Sequence, residues 1–499
     1  MHAKDGEEME RKRILDLMSR LLAPCARNLS KASSLRVTAV LISATLVIPL
    51  ALGPAQAASA ASPPPSPREA AKAAARAVSG LTARQVATRN SSTHDISKRP
   101  DYSRTFLTVD TKPTGKLGGP AAHMSINQLV ARAPHSGKAL PKRRSMTAGQ
   151  NSVAAASAEQ DDMTIDECRS HDEAFAGQGW GKSRFVSCQA HNLHFLRVDC
   201  WLFGAIGCRI TGAADVDVTD IQYTQNRGRV VDVIQVFSNW FVWRKMNSQV
   251  MTSNVTCAAQ RNSGACETGI FSGPYSSKLG EMSHEGNGVT SRFYEFTQPA
   301  SAGWGPDQLS YASLSWHFRV PGGEPGRADG PGSQFRCDSA SYIINTNAGE
   351  GCIFPWVTET MQFSVQQSKT AAEHILNALY HTDETLPEKA GKVIPGLPGT
   401  QPLHRTTNQS LIDSHRDIAI PTCEYYWPNY TQDGLECDEF PFATTLEGAT
   451  TDDNFSVEAI PGADNASGGG VMSNFYTYRR IIGDDTDKVN DPFFVDVGA

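Results

Sequence analysis

Two short stretches near the end of the chain carry residue types suited to chemistry on a phosphate. The first, Cys437-Asp438-Glu439-Phe440-Pro441, sets two adjacent carboxylates between a cysteine and an aromatic-proline step, and a third carboxylate, Glu447, follows just before Gly448. The second, Asp464-Asn465-Ala466-Ser467, opens a helix-like segment that continues as Gly468, Gly469 and Gly470. Carboxylates and an amide oxygen are hard ligands, suited to a magnesium- or manganese-type cation and poor for zinc or copper. Hydrolysis of a phosphodiester needs an activated water, charge to offset the pentavalent phosphate and help for the leaving oxygen. One divalent cation serves the last two needs, and a carboxylate or histidine serves the first.

Positioning follows from local structure. In an extended segment Asp438 and Glu439 point to opposite faces, so one of them faces the phosphate. Asp438 is the favoured base; Glu439 stands second, as the base itself or as its orienter, and Glu447 closes the site from the far side. Taken alone, the pair also reads as a solvated turn. Asp464 is a good helix N-cap, and the N–H groups of the first helical turn favour a phosphate. Three successive glycines are poor helix formers, which points to close approach of a substrate. Arg479 and Arg480 read either as phosphate contacts or as surface charge.

The order Asp438-Glu439-Phe440-Pro441, then Asp464-Asn465, then Asp491-Pro492-Phe493-Phe494-Val495, resembles the NucA/NucB deoxyribonucleases. These are secreted, non-specific nucleases related to the His-Me finger (ββα-metal) group. The resemblance is confined to 403–499. It implies a small α+β nuclease domain in which an Asp-Glu-aromatic-Pro motif stands where the related enzymes carry a catalytic histidine strand. It further implies Asn465 as the metal ligand, a divalent cation (Mg or Mn) as cofactor, and DNA, or RNA, as substrate. Two features depart from the family's pattern: the acidic stretch Thr450 to Asn454, and His415, where the family has a small polar residue.

With 499 residues and a net charge of −6, the chain is long enough for more than one domain and shows no global sign of a nucleic-acid binder. Affinity for a polyanion then rests on a bound cation and a few placed arginines. Arg27, Lys31 and Arg36 precede an apolar run, Val37 to Leu52, that ends at Ala55-Gln56-Ala57. That layout predicts a secretory signal over 1–57, with an uncleaved anchor as the alternative, and hence a secreted, extracellular protein with no stable membrane association after cleavage. Eleven cysteines, less Cys25 in the signal, leave ten, an even number that points to disulfides in an exported chain. Ten cysteines allow too many connectivities to deduce the pairing; close spacing makes Cys257–Cys266 and Cys337–Cys352 candidate loops. Cys423 with Cys437 would staple the segment just before Asp438.

Residues 58–163 are rich in Ala, Ser and Pro and are expected to form a disordered propeptide or linker; Lys142-Arg143-Arg144 reads as solvated charge first and as a processing site second. From 164 to 385 the pattern alternates with period two, as in Val216 to Ile221 and Ser313 to Val320. An antiparallel β-rich accessory domain, sandwich or barrel, is expected there. Trp240, Trp243, Trp304 and Trp316 in it either pack the core or present a face for a cell-wall or surface polymer. Ala371 to His381 reads as a short amphipathic helix, and 386–402, rich in proline, as a linker. The function expected is a secreted, metal-dependent, non-specific endonuclease; the alternative is a wall- or surface-binding protein whose nuclease-like end is inactive. A carboxylate-pair glycosidase is a weaker rival, because its two acids must flank the scissile bond from separate elements.

Overall fold

In a computed structural model of the full chain, the described residues are 65–89, 100–110, 120–126, 128–129, 162–201, 207–224, 228–260, 265–269, 272–322, 326–343, 349–484 and 489–498. The expected signal and Lys142-Arg143-Arg144 lie outside them. Alternating Val, Ile and aromatic residues build two antiparallel sheets in the middle of the chain. The larger contains Tyr102–Asp110, Trp180–Ser183, Val186–Trp201, Gly207–Thr224, Val230–Arg244, Thr290–Thr297 and Glu267–Thr268. The smaller contains Gly351–Ile353, Arg327–Asp338, Ser310–Arg319, Val250–Gln260 and Tyr275–Lys278.

Burial explains how clearly each strand shows in the sequence. Ser310–Arg319 buries every second residue, so one face meets solvent and its alternation is clean. Val186–Trp201 is buried on both faces, yet Ser187, Gln189, Asn192, Arg197 and Asp199 are scattered among its apolar residues, so its sequence alternates only in part. All four tryptophans pack against apolar clusters: Trp240 and Trp316 beside Phe237 and Phe318, Trp304 beside Leu309 and Ile482, and Trp243 beside Val86.

The region expected to be a disordered linker contributes to this body. Tyr102–Asp110 pairs along its whole length with Val186–Trp201, from Tyr102 opposite Cys200 to Asp110 opposite Asn192. Helix Pro67–Arg76 begins with a capping box between Ser66 and Glu69 and lays Ala71, Ala74 and Ala75 on Val198 and Cys200. Its apolar face is made of alanines, which a search for large apolar residues passes over.

The C-terminal region has its own core and begins earlier than the sequence suggests. Glu359–Ser364, expected as part of the β-rich region, pairs in parallel with the closing strand Pro492–Gly498, and Leu403–His404 pairs antiparallel with that same strand. Helix Lys369–Tyr380 packs Ala372, Ile375 and Leu379 into one cluster with Phe363, Phe440, Tyr476 and Phe493. The proline-rich 386–402 crosses this core, with Ile394 buried in it and the N–H of Val495 bonded to the carbonyl of Gly396.

A buried ionic seam joins the two regions within the unit Pro64–Ala499. Asp491 accepts two hydrogen bonds from Arg336, at 2.6 and 2.9 Å, and lies 2.9 Å from Arg184. Arg480 holds Asp338 through Nε at 2.9 Å and Nη2 at 2.6 Å.

Candidate active site

Leu435–Phe440, the Asp-Glu strand, forms a two-stranded antiparallel ribbon with Ser456–Pro461, with Asp438 opposite Glu458 and Glu439 opposite Val457. The second strand runs directly into helix Gly462–Tyr478. Helix Gln409–Tyr426 backs the ribbon, and the Cys423–Cys437 disulfide ties it to the Asp-Glu strand one residue before Asp438. The other four disulfides are Cys168–Cys188, Cys200–Cys208, Cys257–Cys266 and Cys337–Cys352.

A cavity of about 280 Å³ opens beside this strand, and Arg416, Glu436, Asp438, Glu439, Asn465 and Gly469 are among the residues that line it. Residues far apart in sequence and drawn from three elements thus meet at one place. Both carboxylates of the pair reach the cavity, but in different states. Asp438 Oδ2 lies 2.8 Å from Nδ1 of His374, a residue only 1% exposed, whose Nε2 lies 2.8 Å from the hydroxyl of Ser456. Glu439 Oε2 is buried with no hydrogen-bond partner. Burial pushes the Glu439 carboxyl up to about 7; the Arg416 charge opposes the rise, the Asp438 charge adds to it, and a backbone hydrogen bond from Ala443 opposes it. Across the ribbon, burial also raises the Glu458 carboxyl, with His374 acting against the rise and Asp438 and Glu373 adding to it.

The glycine helix is placed differently from the expectation. Pro461, not Asp464, stands at its N-cap. Asp464 instead accepts hydrogen bonds from the backbone N–H of Thr370, at 3.3 Å, and from the Thr370 hydroxyl. It therefore caps the neighbouring helix that carries His374. Ser368 donates to Ser467 at 2.8 Å, which strengthens the same junction. A Cβ on Gly468 would come within 3.2 Å of the Ala371 Cβ, so this glycine serves helix-to-helix packing. Gly469, with open space at its Cβ position, keeps the cavity wall low. Asn465 Nδ2 donates to Glu436 Oε2 at 2.9 Å, which leaves the amide oxygen as the remaining acceptor.

Three expected site residues lie elsewhere. Glu447 receives the His404 backbone N–H at 2.8 Å and lies 2.7 Å from His404 Nδ1; it organises a loop and does not line the cavity. That hydrogen bond raises the His404 pKa, against the effect of burial. Arg479 and Arg480 follow the glycine helix into the seam, where both are buried. Arg480 is engaged with Asp338, and Arg479 Nε lies 3.9 Å from Glu359. Neither is among the residues lining the cavity, where Arg416 supplies the positive charge. His415, the departure from the family's pattern, is buried with Nδ1 3.0 Å from the Ala443 carbonyl, and a Cβ at Gly448 would meet that nitrogen at 2.2 Å.

His374 and Arg416 were not singled out from the sequence. His374 had one signal: a polar residue beside the inward positions Ile375 and Leu379 of its helix. Arg416 had the signal of scarcity: beyond Leu403 the only Lys and Arg residues are Arg405, Arg416, Arg479, Arg480 and Lys488.

Among the described residues no group of three or more His, Cys, Asp or Glu side chains is close enough to hold a metal ion by itself. The cavity's donors are nonetheless hard oxygens, and the Glu439 oxygen is an acceptor without a donor. That set fits a cation of the magnesium type, which keeps several waters and takes only one or two carboxylates.

No curated protein and no solved structure matches this chain. Residues 414–489 do match a family model, Deoxyribonuclease NucA/NucB. The matched segment takes in Arg416, the Asp-Glu ribbon and the glycine helix, so it is residues 414–489 of this chain that carry the NucA/NucB deoxyribonuclease match.

Proposed function

We propose that the chain is an exported endonuclease that hydrolyses DNA phosphodiester bonds without sequence preference and depends on a divalent cation. The observation that carries this reading is the buried, unpartnered Glu439 oxygen in a cavity shared with Asp438, Asn465 and Arg416. Strand, strand and helix follow one another there in the order of the ββα-metal nucleases. Asp438 and Asn465, with Glu436 adjoining, would hold the cation. When bound, it supplies charge for the phosphate and the leaving oxygen.

Glu439 is the general base in this reading. Its carboxyl, raised to about 7, can take a proton from water near neutral pH. This exchanges the roles expected from the sequence, because Asp438 already spends one oxygen on His374. Arg416 meets the phosphate. Five disulfides suit an oxidising, extracellular setting, and among the described residues no helix is long and apolar enough to cross a membrane.

The test is plasmid nicking by the purified full chain with manganese, with magnesium, and with chelator. Cleavage is expected with either metal and lost with chelator. Chelator-insensitive cleavage would contradict the cation requirement, and absence of cleavage under all conditions would favour a binding protein with an inactive nuclease-like region.

A further inference from the structure

We infer that His374 is a positioning residue that fixes the Asp438 carboxylate as a cation ligand, so that the site is completed by a helix outside the family-matched segment. The inference rests on the nuclease reading above and extends it to His374 and its helix, which lie outside the 414–489 match.

A histidine on an apolar helix face is ordinarily accounted for as core filling. Here both ring nitrogens are engaged, and both partners belong to the Asp-Glu ribbon: Asp438 on one strand and Ser456 on the other, each at 2.8 Å. Ser456 pairs across the ribbon with Phe440, two residues beyond Asp438. The imidazole thus spans the ribbon and holds Oδ2 of Asp438, which leaves Oδ1 as the oxygen not bound by the ring. A carboxylate tied at one oxygen loses rotamer freedom before any cation arrives, which is how partners behind a ligand raise affinity.

The helix that carries His374 is itself moored to the helix that carries Asn465. Asp464 caps the first through Thr370, Ser368 bonds to Ser467, and Gly468 lets Ala371 approach closely. Asp438 and Asn465 are therefore set by one rigid pair of helices. Glu359–Ser364, the strand just before the His374 helix, pairs with the closing strand and fixes that helix to the same core. The working nuclease unit accordingly starts near Glu359.

The experiment measures Mn²⁺ affinity by titration calorimetry and, separately, kcat and KM on DNA, for the full chain and for His374→Ala, His374→Gln and Ser456→Ala. Loss of the imidazole should weaken Mn²⁺ binding and lower kcat by about 10- to 100-fold each, with KM for DNA unchanged. His374→Gln should recover part of both. Ser456→Ala leaves the ring in place, and a smaller loss in the same direction is expected; it serves as the test if His374→Ala does not fold. Wild-type Mn²⁺ affinity in His374→Ala or, should that variant not fold, in Ser456→Ala, would overturn the assignment. If the wild-type chain binds Mn²⁺ but does not cleave DNA, the nuclease reading fails while the affinity comparison still decides the role of His374.

Discussion

Two clusters of buried charge, the seam between the regions and the cavity beside the Asp-Glu strand, are built from the same residue types and behave in opposite ways. In the seam Asp491 accepts two hydrogen bonds from Arg336 and one from the backbone N–H of Ile482 at 2.9 Å, and it forms an ion pair with Arg184 at 2.9 Å. Burial alone would raise that carboxyl, but the two guanidinium groups hold it well below the ordinary carboxylate range. In the cavity Glu439 has one arginine within electrostatic reach and an oxygen with no donor, and burial prevails. A carboxylate satisfied by the protein is architecture. One left unsatisfied is open to a ligand, which in the proposed function is the water that the cation holds.

The contrast can be broken most directly at Glu439. Glu439→Gln should lower turnover by about 10²- to 10⁴-fold, the usual worth of a general base, with DNA affinity nearly intact. Asp438→Asn should act chiefly on Mn²⁺ affinity. If Asp438→Asn instead abolished turnover at unchanged Mn²⁺ affinity, while Glu439→Gln stayed near wild type, the roles would return to those expected from the sequence.

Next in size is the seam. Asp491→Ala removes the carboxylate shared by two buried guanidinium groups and should cost about 3–5 kcal/mol, read by chemical denaturation, with loss of the contact between the β-rich body and the nuclease region. A loss below about 1 kcal/mol, the range of an exposed pair, would show that the seam is not the joint described here.

The two clusters should also respond oppositely to pH. Asp491 has a folded pKa below its unfolded value, so its contribution is present above the ordinary carboxylate range and is lost as pH falls through the folded value. Glu439 is raised to about 7, so its contribution is present below the ordinary glutamate value and is lost as pH rises through about 7. Thermal melts should therefore show more stabilisation by Mn²⁺ at about pH 8 than at about pH 6, where the Glu439 carboxyl is largely protonated. An equal gain at both values would separate Glu439 from the cation site.

The smallest effect is expected at Glu447. Its pair with His404 is part-exposed, so Glu447→Gln should cost on the order of 0.5–1 kcal/mol of stability and leave kcat unchanged. A large fall in kcat would return this residue to the site.

Legibility in the sequence followed burial geometry. Ser310–Arg319 shows its strand because one face is wet, whereas the strand at Asp438-Glu439 was legible only through the family resemblance. The alanine face of Pro67–Arg76 and the pairing of Tyr102–Asp110 were hidden, since each is apolar enough only against its partner strand. Arg479-Arg480 read as phosphate contacts or surface charge because Asp338, the carboxylate that Arg480 meets, lies far earlier in the chain.

The sequence by itself determined the chemistry on offer: hard oxygen ligands, an Asp-Glu strand, an asparagine opening a glycine-rich helix, and the cysteine that pins them. Those are local patterns, set by residue type and short spacing. Only the tertiary structure decided which carboxylate is committed and which is left open. That choice depends on His374 reaching Asp438 from another helix, on Arg416 arriving from a third, and on the burial their packing imposes. Desolvation and long-range pairing set the state of a buried acid, and neither is written in the residues beside it.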